Sequence, residues 1–133
     1  HLAIPAGDLS TATKFYTDIL GCKLGNGEEG KWIDVDFWGN ELTLHKTDMK
    51  LPNERHDVDM GKVPVPHFGV VLSIEEFEEF LFQRNDKNVD FIIKPTIRFK
   101  GEIGEQRTMF FRDPSGNAIE IKAFNDIGKL FSS

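Results

Sequence analysis

Apolar and polar positions along the chain fall into one order of periods that occurs twice. An alternating strand opens the chain, with Leu2 and Ile4 on one side and His1 and Ala3 on the other. A helical period follows: Ala12, Phe15, Tyr16, Ile19 and Leu20 share one face, Asp8 or Ser10 can cap its start, and Gly21 suits its stop. Three strands are predicted next, near Cys22–Leu24, Lys31–Phe37 and Glu41–Lys46, the last two joined by the turn Trp38-Gly39-Asn40. The second pass opens on His67, with Phe68, Val70 and Leu72 opposing His67, Gly69 and Val71. Ser73 and Glu76 stand at capping-box spacing, and Ile74, Phe77, Phe80 and Leu81 form the apolar stripe of a second helix. Strands near Val89–Phe99, Gln106–Arg112 and Ala118–Phe124 complete it, the last two joined by Asp113-Pro-Ser-Gly-Asn117. The stretch Thr47–Pro66 is polar, carries three prolines and has no period; it is expected to be a lid, a binding loop or a linker.

The reading is therefore α+β: two βαβββ half-repeats, about 1–46 and 67–124, forming a curved eight-stranded mixed sheet in a single domain. Its 133 residues can bury a core without staples. A net charge of −6 without a basic run speaks against nucleic acid, and no apolar stretch reaches membrane-spanning length. Cys22 is the one cysteine, so no internal disulfide can form, and a cytoplasmic location is the default expectation. The 12 phenylalanines imply a thick aromatic core or an aromatic-lined cavity.

Strand parity sorts the polar side chains. If the uniformly apolar faces pack under the helices, His1, His67, Glu120 and His45 share the other, concave face. Thr108, Phe110 and Arg112 would point the same way on one strand, and Trp32, Asp34 and Asp36 on another. Two imidazoles and a carboxylate suit Fe(II) with open coordination positions, and the same donors suit Zn(II) or Mn(II). A single histidine on a strand is more often an ordinary hydrogen-bonded residue, but three candidates at matching positions of the repeat favour ligands; for His45 the ordinary reading weighs as much as a role. His45 is a candidate acid/base group. Arg98 and Arg112 could hold an anionic substrate group or be surface charges. Phe110 and Trp32 could line a substrate pocket or belong to the core. Asp34 and Asp36 could orient a histidine, although solvent exposure is expected of at least one of them.

The segments His1-Leu-Ala-Ile-Pro, Asp8-Leu with Phe15-Tyr16 and Leu20-Gly21, and Phe110-Phe-Arg-Asp-Pro-Ser-Gly-Asn-Ala-Ile-Glu120 resemble the vicinal-oxygen-chelate superfamily of glyoxalases, bleomycin-resistance proteins and extradiol dioxygenases. The run Gly104–Phe111 resembles its dioxygenase-like members. The resemblance implies one divalent metal on His1, His67 and Glu120, a small-molecule substrate chelated through vicinal oxygens, and a homodimer. Aligning Gly39-Asn40 with Gly116-Asn117 sets Thr43 opposite Glu120 and His45 opposite Lys122, so a fourth ligand is missing and Glu41 is the nearest carboxylate on that face. The leading expectation is an enzyme resembling extradiol dioxygenases, with Fe(II) favoured. The alternatives are a glyoxalase- or isomerase-like lyase, a fosfomycin-type transferase, and a bleomycin-resistance-type protein that binds a ligand without chemistry.

Overall fold

A computed structural model describes residues 1–48, 56–58, 61–84, 88–126 and 128. The chain divides into two compact units, His1–Glu54 with Arg112–Asn117, and Arg55–Phe111 with Ala118–Ser133.

In the first unit, β1 (Leu2–Gly7) leads into α1 (Leu9–Lys14). The Asp8 side chain accepts from Thr11 N and caps that helix. The helix then widens into a π-helical turn over Phe15–Ile19, and Leu20 N donates to Phe15 O at 3.1 Å. Gly21, at φ 76°, ends it. Ala12, Phe15, Tyr16 and Leu20 are buried, so the expected stripe faces the core. Strands β2 (Lys23–Glu28), β3 (Trp32–Phe37) and β4 (Asn40–Lys46) complete a sheet of order β1-β4-β3-β2. Trp38 and Gly39 both have positive φ, 48° and 85°, and close the β3–β4 hairpin in two residues.

The second unit repeats the order. It contains β7 (Phe68–Ser73), α2 (Ile74–Gln83), β8 (Asp90–Arg98), β9 (Gln106–Arg112) and β10 (Ala118–Phe124), with strand order β7-β10-β9-β8. The capping box at Ser73 and Glu76 is formed in both directions, and Phe77 and Phe80 are buried while Glu75, Glu78 and Glu79 stay exposed. The eight strands of the repeats thus lie in two four-stranded sheets, one from each repeat.

The stretch expected to lack structure contains a small antiparallel hairpin, β5 (His56–Val58) with β6 (Gly61–Val63). Three-residue strands are too short to display a period of two. The rest of the expected lid, residues 49–55 and 59–60, lies outside the described residues.

Register carries the repeat to the level of single residues. Parallel pairing sets Leu2, Ala3, Ile4 and Pro5 beside Leu42, Thr43, Leu44 and His45. The other sheet sets Phe68, Gly69, Val70 and Val71 beside Ile119, Glu120, Ile121 and Lys122. Thr43 therefore holds in the first half the place of Glu120 in the second, and His45 that of Lys122.

Candidate metal centre

The second unit brings His67 and Glu120 together. Glu120 stands in the middle of β10 and is only 7% exposed, so its charge needs partners. Its Oε2 accepts a hydrogen bond from Thr108 Oγ1 at 2.7 Å. Its Oε1 faces His67 Nε2 at 3.5 Å and Lys122 Nζ at 3.6 Å, both longer than a strong hydrogen bond. His67 Nδ1 lies 2.9 Å from the carbonyl oxygen of Pro64, which can only accept, so the proton sits on Nδ1. In a neutral imidazole this leaves a lone pair on Nε2. That nitrogen and a carboxylate oxygen of Glu120, 3.5 Å apart, are the donor types that can hold a divalent cation. Phe110, buried, packs edge-on against the His67 ring with centroids 5.1 Å apart.

Gly69 makes this approach possible. It pairs with Glu120 in register, and a Cβ added there would run into the Glu120 carbonyl oxygen. The obstacle is backbone, which cannot swing aside as a flexible side chain would. Gly69→Ala is expected to displace β7 from β10, cost about 2 kcal/mol or more, and disturb the His67–Glu120 pair. A melting curve and a histidine NMR spectrum read both effects; an unchanged pair of spectra would contradict the close packing.

In the first unit, the same face carries His1, Glu41, Thr43 and Asp34. His1 Nδ1 and Glu41 Oε1 are 2.7 Å apart, with both side chains more than half exposed. The carboxylate holds the His1 proton on Nδ1, as the Pro64 carbonyl does for His67. Thr43 is buried, and its Oγ1 donates to Asp34 Oδ1 at 2.6 Å. In the described bonds Asp34 accepts from Thr43, and Asp36, exposed, accepts from Gly39 N at 2.7 Å, rather than either accepting from a histidine. Thr43 lies opposite Asp34 in the hairpin register, and Gly39 sits in the turn three residues after Asp36. His45 is exposed and pairs in register with Trp32.

Of the three expected substrate-contact residues, Phe110 stands beside His67. Half-buried Trp32 borders an open groove with Leu9, Lys14 and Gly30. Arg98, at the end of the edge strand β8, lays its guanidinium over the Phe99 ring at 4.7 Å. Among the described residues, no group of three or more His, Cys, Asp or Glu side chains is gathered around one point. Sequence reasoning did not find the roles of Thr108, Lys122 and Pro64 around the His67–Glu120 pair. Parity alone set Thr108 on the face of Phe110, and a buried carboxylate on the next strand is the signal that would have joined it to Glu120.

A sequence model of the Glyoxalase/Bleomycin resistance protein/Dioxygenase superfamily matches residues 1–121, and the chain belongs to that family. A crystal structure of a glyoxalase/bleomycin resistance protein/dioxygenase from Alicyclobacillus acidocaldarius is 34% identical, with a TM-score of 0.79 over 98% of this chain and 94% of that one. The genomically encoded fosfomycin resistance protein FosX from Listeria monocytogenes shares the fold at 19% identity and a TM-score of 0.72, over 97% of this chain and 93% of that one. The virulence protein STM3117 of Salmonella typhimurium is 24% identical over 124 residues, 93% of this chain and 82% of its own length.

Among the described residues no helix is long and apolar enough to cross a membrane.

Proposed function

We propose that the chain is a metal-dependent enzyme resembling extradiol dioxygenases, binding a small substrate through two neighbouring oxygens at one divalent ion, Fe(II) before Zn(II) or Mn(II). His67, Glu120 and His1 are the proposed ligands. The observation that carries the reading is the approach of His67 Nε2 to Glu120 Oε1 at 3.5 Å, with Nδ1 already committed to the Pro64 carbonyl. Ligating histidines commonly donate their other ring proton to a carbonyl or carboxylate, and His1 with Glu41 has the same form.

Bound there, the ion would supply Lewis-acid chemistry and, as Fe(II), redox chemistry at its open positions. The chain's own groups divide the remaining tasks. Thr108 holds Oε2 of Glu120 and so fixes which oxygen faces His67. Phe110 keeps the His67 ring in place and adds an apolar wall. Lys122 tempers the buried negative charge. His45, on the face of Thr43, is the proposed proton carrier. Trp32 and Arg98 remain proposed substrate contacts. The proposed assembly is a homodimer, in which one chain or two could complete a site.

The test is elemental analysis after purification without chelators, joined to oxygen uptake over a panel of catechols. About one Fe per chain with uptake on at least one catechol is the expected result. Bound metal without any uptake would move the assignment to lyase or transferase chemistry. Neither bound metal nor any gain on adding Fe, Mn or Zn would move it to a ligand-sequestering protein.

A further inference from the structure

Strand β8 is the outer strand of the second unit's sheet, and among the described residues no strand pairs with its far side. It runs for 9 residues, and an open edge of that length is a template for another strand. Phe91 packs edge-on against the buried Phe111 ring, with centroids 6.4 Å apart. Phe91 and Ile93 therefore lie on the core side of β8, and Asp90, Ile92 and Lys94 on the other. Phe91, Ile92 and Ile93 are only half-buried, while Asp90 and Lys94 are exposed. Opposite charges thus flank one isoleucine at equal spacing, Asp90 two residues before Ile92 and Lys94 two after.

We propose that the β8 edge is a self-complementary interface that takes a second copy of this chain, antiparallel, with the two-fold axis at Ile92. It gives the proposed homodimer its contact surface and rests on that reading. In this register Asp90 opposes the partner's Lys94, and Lys94 opposes the partner's Asp90. Ile92 opposes its own copy between them. On the core side Phe91 opposes the partner's Ile93, so apolar surface left half-open in one chain is covered in two. Pro95 agrees with the pairing. A proline sits in an edge strand with its ring nitrogen turned away from the neighbouring strand. By alternation the backbone groups of Phe91 and Ile93 then face outward as well, and these are the residues that the register joins by hydrogen bonds. Sliding the partner by two residues sets Ile92 against a charge, and sliding it by four sets like charges together. The charges therefore select one pairing.

The experiment is sedimentation equilibrium of the full chain, wild type and variants, with circular dichroism to verify folding. The wild type is expected to be a dimer. Asp90→Lys and Lys94→Asp each set like charges against one another at both ends of the contact, and each is expected to raise the dimer dissociation constant about tenfold or more. Mixed in equal amounts, the two variants restore opposite charges at both positions, and the mixture is expected to associate nearly as tightly as the wild type. Wild-type association in both single variants overturns the inference and leaves a homodimer built on another face. Weakened variants that do not rescue one another overturn it too, because the pairing is then not the one stated. A wild type that stays monomeric removes both the inference and the homodimer, and makes Lys94 and Pro95 guards of an open edge.

Discussion

Glu120→Ala and His67→Ala are each expected to lower the affinity for a divalent ion about 100-fold or more while the chain stays folded. The two residues bring a buried carboxylate oxygen and an imidazole nitrogen within 3.5 Å of each other in the second unit, and removing either takes away one of the three proposed donors to an exchangeable ion. Folding should survive because the apolar side of both strands is untouched: Leu72 and Phe77 stay buried beneath β7, and Ile119 and Ile121 remain in place on β10. Glu120→Ala also strands the Thr108 hydroxyl, which costs about 1 kcal/mol and does not unfold a domain. Metal content per chain and a melting curve separate the two effects. Wild-type occupancy in both variants would mean that the pair serves another purpose.

Asp113→Ala is expected to be the most destabilising single change, about 3–5 kcal/mol, the range found on removing one partner from a buried charged network. Asp113 is 4% exposed and accepts from five donors: Tyr16 Oη at 2.8 Å, Asn117 Nδ2 at 2.8 Å, Asn117 N at 2.8 Å, and Ser115 N and Oγ at 3.1 Å. Asn117 Nδ2 also donates to Pro5 O at 2.7 Å, so the turn 113–117 is bound to both β1 and the helical segment of the first unit. Removing the carboxylate leaves several buried donors without an acceptor. A fall in melting temperature of about 10 °C or more is the expected reading. Burial, and then the Asp113 charge, push the Tyr16 phenol well above its usual range. Its neutral form is the one the fold holds. The stability this brings is therefore complete below the unfolded value of about 10 and lost as pH climbs toward the raised one. Tyr16→Phe should flatten that alkaline decline, at the cost of the phenol bond.

Much of the architecture was legible because parity and turn chemistry act locally. Phe15, Tyr16 and Leu20 recur at helical spacing, Ser73 and Glu76 spell a capping box, and Gly39-Asn40 aligned with Gly116-Asn117 gives the register that the strands adopt. Parity likewise put His67, Glu120 and Phe110 on one face, where two contacts join them. What was not legible depends on partners distant in sequence or on hydrogen-bond competition. Tyr16 read as a core aromatic, but nothing near it names Asp113, 97 residues away. Asp34 read as a possible companion of a histidine, whereas the hydroxyl of Thr43, directly across the hairpin, takes it. The π-helical turn leaves the apolar spacing almost unchanged, and the hairpin at 56–63 has strands too short to alternate.

The central claim is that His67 and Glu120 hold one divalent ion with His1, and a crystal structure grown with Mn(II) or anaerobic Fe(II) tests it most directly. The account predicts anomalous density for one ion about 2.0–2.3 Å from His67 Nε2, a Glu120 carboxylate oxygen and an imidazole nitrogen of His1. An ion on His67 and Glu120 with His1 turned to solvent would remove His1 from the site. No ion at His67 and Glu120, under conditions that load other positions, would contradict the account.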